Sequence, residues 1–85
     1  MNKYILKVMR YIDNPELFSV GEMRENDTEA YATYAADEVA YAYAYAANAN
    51  AANANAAKAE HWVNEYFKRS SENKQDYINE VERLK

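Results

Sequence analysis

Residues 29–70 contain neither glycine nor proline, and their middle alternates alanine first with tyrosine and then with asparagine. It reads Tyr41-Ala-Tyr-Ala-Tyr45, then Asn48-Ala-Asn-Ala-Ala and Asn53-Ala-Asn-Ala-Ala. Alanine loses no side-chain entropy on entering a helix, so the stretch predicts one long helix over about residues 28–70. At 1.5 Å per residue such a helix spans about 60 Å. Asparagine is less favourable than alanine inside a helix by about 0.6 kcal/mol. Four asparagines therefore keep an alternative open, a helical hairpin broken near 48–55 with arms at about 29–47 and 56–69. A turn there would want glycine and finds none, which favours the continuous helix.

The flanks predict shorter elements. Ile5, Val8, Met9 and Ile12 fall at i, i+3, i+4 and i+7, the spacing of one helix face. Asp13-Asn14-Pro15 stops that helix, and Asn14 can cap a single turn over Pro15–Phe18. Ser19 and Glu22 have capping-box spacing for a short helix to about Glu25, with Leu17, Phe18, Val20 and Met23 as its buried residues. Asn26-Asp27-Thr28 offers the cap of the long helix. Beyond Ser70-Ser71, Ser71 or Asn73 can cap a last helix to about Leu84, with Tyr77, Ile78, Val81 and Leu84 as its stripe. The expected architecture is all-α, a single helical domain over residues 1–85. In it the short N-terminal helices and the C-terminal helix pack on the ends of the long one.

Read as heptads, the long stretch has a seam of Ala35, Ala42, Ala49, Ala56 and Val63, facing Tyr31, Glu38, Tyr45, Ala52, Ala59 and Tyr66. The helix-packing seam is thus Ala35, Ala42, Ala49, Ala52, Ala56 and Val63, mostly methyl groups that let helix axes approach closely. A second column, Tyr34, Tyr41, Asn48, Asn55 and Trp62, recurs every seven residues, with Tyr43, Asn50 and Asn53 on its flanks. Aromatic rings with polar ends and amides suit a recognition surface. Tyr34, Tyr41, Tyr43, Asn48, Asn50, Asn55 and Trp62 are the candidate partner-binding residues. The competing reading is that these side chains line a helix–helix groove and hydrogen-bond across it.

Composition narrows the function. Sixteen of the 85 residues are alanine and only thirteen are Leu, Ile, Val or Phe, so a large isolated core is out of reach. Dense helix packing or a second subunit must make up the difference. There is no cysteine, and one histidine, His61, is too few for a metal site, which needs three or four converging ligands. One glycine excludes a glycine-rich phosphate loop. No cofactor, no metal and no enzymatic activity are expected. The net charge of −4 disfavours binding to a phosphate backbone and permits a partner with a basic surface. Asn48, Asn50, Asn53 and Asn55 interrupt the alanine run before it reaches a membrane span. A soluble, cytoplasmic protein is the default.

By these residues the chain resembles the small Ala-rich accessory proteins of tailed bacteriophages. The likeness rests on the Tyr-Ala and Asn-Ala alternation of residues 30–59. It rests also on Lys3-Tyr-Ile-Leu-Lys-Val-Met, on Trp62-Val-Asn-Glu-Tyr-Phe-Lys and on Lys74-Gln-Asp-Tyr-Ile. The resemblance implies a protein made in an infected bacterium that binds and disables a host enzyme or defence complex, such as an anti-CRISPR factor. It brings no catalytic residues. The reading from a different class is a structural protein that self-associates, as a homodimer, through the alanine seam. An acidic DNA mimic, built on carboxylates such as Asp37 and Glu38, is a third.

Overall fold

The computed structural model describes residues 1–34 and 39–85, and every side chain among them except that of Val39. Five α-helices make up these residues, with no strand: α1 (Lys3–Asp13), α2 (Val20–Thr33), α3 (Val39–Ala52), α4 (Ala56–Arg69) and α5 (Lys74–Arg83). The described chain measures 33 × 25 × 20 Å, which has no room for a 60 Å rod. The single long central helix is therefore incorrect, and the chain turns at 53–55, at the end of the alternative break. The expected 29–47 arm is not one helix, since α2 ends at Thr33 and α3 runs from Val39 to Ala52.

The break is built without glycine. Asn55 N–H reaches back to Asn50 O at 2.9 Å and Ala54 N–H to Ala51 O at 3.0 Å. These are the two bonds of a Schellman turn, which requires a left-handed residue at its centre. Ala54 takes that place at φ 58°, a conformation that usually falls to glycine. Asn55 then caps α4, its side chain accepting from Lys58 N–H at 3.2 Å. One asparagine thus closes α3 and opens α4, and the two helices fold back on each other as an antiparallel pair.

A second correction concerns where the middle helices begin. The predicted cap at Asn26-Asp27-Thr28 is not used, and α2 runs through it from the Ser19–Glu22 capping box to Thr33. The potential cap groups act inside the helix. Thr28 Oγ1 donates to Arg24 O at 3.0 Å and Thr33 Oγ1 to Glu29 O at 2.8 Å, while Asn26 points into the core. Hydroxyls bonded back to the i−4 carbonyl no longer compete with the helix. Elsewhere the flanks follow expectation: Asn14 caps the 3₁₀ turn Pro15–Leu17, and Asn73 caps α5.

At the centre lies α3, against which α1, α2 and α4 all pack. Its inward face is Ala40, Ala44, Ala47 and Ala51, all buried. A helix sheathed in methyls is thin, so three neighbours can approach it at the short end of the 8–10 Å range. Larger groups come from those neighbours, Ile5, Val8 and Met9 of α1, Met23 of α2, Val63 and Tyr66 of α4, and from α5, which packs on α1 and adds Tyr77 and Val81. The predicted seam is only partly the real one. Ala52 and Val63 are buried, Ala49 and Ala56 half-buried, Ala42 exposed, and Ala35 lies outside the described residues. Of the other expected core groups, Leu17, Val20, Ile78 and Leu84 are exposed.

Candidate functional site

The aromatic residues of α3 leave it on both flanks of the buried methyl face. Tyr41 and Tyr45, one turn apart, lean toward α2, and Tyr43 leans toward α4. Each meets an aromatic partner. Tyr34 stacks on Tyr41 with ring centroids 5.2 Å apart and planes 11° from parallel. Tyr31 meets Tyr45 at 5.3 Å. Tyr43 meets Trp62 at 5.6 Å, and the Arg69 guanidinium lies 4.6 Å from the Tyr43 ring centre.

These contacts differ in what they leave for a partner. Tyr34 is anchored inward: Tyr4 packs edge-on to it at 5.9 Å, and its hydroxyl accepts from Asn48 Nδ2 at 3.2 Å. Burial pushes the Tyr34 phenol well above its ordinary range, so it stays protonated. Asn48 is fully buried. It accepts from Asn26 Nδ2 at 2.5 Å and donates to Ala44 O at 2.9 Å. An interior amide with these partners holds α2 and α3 in register, and it cannot touch a partner surface. Asn50 is half-buried and bonds back to Ala46 O at 2.8 Å. Asn55 is occupied in the turn. Of these three amides only Asn48 bonds across to another helix; Asn50 and Asn55 bond locally, to their own helix and turn.

The exposed aromatics are Tyr31, 70% exposed, and Tyr45, 40% exposed. Both fell on the facing positions of the predicted seam and so were assigned to packing. The placement of Tyr45 follows from α3 turning Ala40, Ala44, Ala47 and Ala51 to the core, a face that the heptad count did not select. Beside them Tyr41, Tyr43 and Trp62 are half-buried. Arg69 was overlooked, although its signal was available: it lies seven residues beyond Trp62, on the same helix face. Glu65 holds Arg69 over the Tyr43 ring at 3.4 Å.

A separate polar cluster closes the end of the bundle where α4 meets α5. Glu72 accepts from the hydroxyls of Tyr66 and Tyr77, the latter at 2.6 Å, and Tyr77 Oη accepts from Asn2 N–H at 2.5 Å. Burial works against the Glu72 carboxylate, but the two phenol donors outweigh it and hold its pKa below the usual range. Burial, with the carboxylate beside them, raises both phenols. With every group paired, the cluster joins helix ends.

Among the described residues no three His, Asp or Glu side chains come together to hold a metal ion, and no helix is long and apolar enough to cross a membrane. His61 is exposed and packs edge-on against Trp62 at 4.9 Å. Compared with protein-family models, with curated proteins and with solved structures, the chain matches none.

Proposed function

We propose that this chain is a protein-binding factor that occludes a site on its partner through the aromatic surface of α2, α3 and α4. The observation that carries the reading is the Tyr31–Tyr45 pair, two large rings in tilted contact with centroids 5.3 Å apart yet turned outward. Tyrosine and tryptophan dominate binding energy at protein interfaces, and rings already held against each other lose little freedom on docking. Tyr41, Tyr43, Trp62 and Arg69 extend the surface with the residue types enriched at such centres.

The partner that fits carries a basic surface. α2 holds Glu22, Glu25, Asp27 and Glu29 against Arg24 alone, and the whole chain carries −4. Together with the resemblance to phage accessory proteins, this supports a host enzyme or defence complex as the target. A basic nucleic-acid-binding site on that target is the place to occlude, as an anti-CRISPR factor would. A second reading, self-association, is favoured by one observation: Ala42 is exposed and Ala46 and Ala49 half-buried, along the outer side of α3.

Passing bacterial lysate in parallel over immobilised wild type and a Tyr31→Ala/Tyr45→Ala variant tests the proposal. The expected result is a stoichiometric host complex retained by the wild type and lost by the variant, with helicity by circular dichroism unchanged. Equal retention by both removes this surface from the function. Sedimentation over a hundredfold concentration range separates the second reading, since a strict monomer excludes self-association.

A further inference from the structure

α4 and α5 both pack on α1, and they are tied to each other at the Ser70–Asn73 end. There Phe67 meets Tyr77 edge to face at 4.9 Å, and Glu72 takes the hydroxyls of Tyr66 and Tyr77. Away from that tie they leave a groove of about 200 Å³. Met9, Val63 and Val81 form its buried floor, and Ile12 and Ile78 its walls, Ile78 being 37% exposed. Small-molecule pockets measure roughly 300–1,000 Å³, so this space suits a side chain rather than a metabolite.

Charge decides which side chain neighbour it accepts. Asp13, Glu60 and Glu82 line the edge against Lys74 alone. Lys74 is taken up by Asn64 Oδ1 at 2.6 Å. Lys85 bridges Asp13 at 3.2 Å and Glu82 at 2.8 Å. Glu60 has no ion-pair partner among the described residues. We propose that the groove takes an aliphatic side chain from a protein segment that carries a lysine or arginine one helical turn away. The aliphatic group sits between Ile12 and Ile78, and the cation meets Glu60. A segment with an acidic flank would face Glu60 and Glu82 with like charge. The groove shares no residue with the Tyr31–Tyr45 surface, so either proposal can fail alone.

The test is methyl-resolved NMR with two probes. One is a short acetylated, amidated helical peptide of alanine with leucine and lysine on one face; the other has glutamate for each lysine. The lysine peptide is expected to give saturating shifts at Ile12, Val63, Ile78 and Val81. The glutamate peptide should bind about one and a half to five times more weakly, the range a half-exposed ion pair supplies. Glu60→Lys should reverse that order. Ile78→Ala should weaken both peptides while leaving the circular dichroism unchanged, and Tyr31→Ala should change neither. Equal binding of the two peptides, shifts confined to the α2–α3 side, or no saturation would overturn the proposal. So would concentration-dependent broadening of the same methyls without peptide, which would make a second copy of the chain the occupant.

Discussion

α3 and α4 are each fourteen residues long, lie side by side and pack into the same core, yet they reach it by opposite means. α4 marks its buried face with large groups: Val63 and Tyr66 point inward beside Ala59, and Lys58, Glu60, Lys68 and Arg69 point to solvent. α3 carries no charge, and alanine fills most of its buried face and recurs on its outer side at Ala42, Ala46 and Ala49. The first helix is held by volume that fills space. The second is held by the absence of volume, which lets three neighbours close in on it. Truncation should therefore hurt α4, and enlargement should hurt α3.

The largest expected effect is on the first side of that contrast. Tyr66→Ala removes a buried ring and the Glu72 bond, and should cost about 3–5 kcal/mol by chemical denaturation, as buried aromatics do. On the other side, Ala47→Leu inserts three carbons where α3 is fully enclosed and should cost about 1–3 kcal/mol. Ala42→Leu, on the exposed side of the same helix, should stay within about 0.5 kcal/mol. Equal costs at Ala42 and Ala47 would mean the inward face has been assigned incorrectly.

Polar groups sharpen the comparison further. Asn48→Ala leaves the buried Asn26 amide without its strongest acceptor, and should cost about 1–3 kcal/mol. Ala54→Gly relieves the left-handed alanine between the two helices and should stabilise the chain by about 1 kcal/mol. A destabilising Ala54→Gly would argue for helix, not turn, at that residue.

The smallest effect is one of pH. One carboxylate oxygen of Asp27 is buried without a hydrogen-bond partner among the described residues, and burial raises its pKa. Between its ordinary value and the raised one, the folded chain binds more protons than the unfolded chain. Stability should therefore fall as pH rises through that window and recover as pH drops below it. Asp27→Asn should remove this slope and be the more stable protein at neutral pH. Parallel urea melts with unchanged slope would contradict the assignment.

The same contrast explains what could be read from the residues alone. Helicity was legible over most of the described residues, because capping groups and alanine act locally. The Ser19–Glu22 box, the Asn14 cap and the Asn73 cap formed, though the cap expected at Asn26-Asp27-Thr28 did not. The buried face was legible in α1 and α4, where Ile5, Val8, Met9, Val63 and Tyr66 break the symmetry of the helix. It was not legible in α3, where methyl groups on every side carry no phase. The turn ranked second to a continuous helix because its left-handed position is filled by alanine where glycine is expected. With no phase in the α3 methyls, the heptad count chose the wrong face of that helix. That put Ala42 in the seam, Tyr31 and Tyr45 in the packing column, and the buried Asn48 on a binding surface. In the candidate site, Tyr43 and Trp62 meet because the chain folds back, for on an unbroken helix they would lie about 28 Å apart. Arg69, on the face of Trp62, reaches Tyr43 by the same fold.

The turn at Asn53–Asn55 is the claim on which the rest depends, and a single distance tests it. The chain has no cysteine, so Ala42→Cys and Lys68→Cys give two unique positions for spin labels. They neighbour Tyr43 and Arg69, which touch across the α3–α4 pair. Pulsed electron–electron resonance should report a separation under about 25 Å, from axes 8–10 Å apart with the label tethers added. A separation of about 39 Å, the length of twenty-six residues of unbroken helix, would contradict the hairpin and restore the single rod.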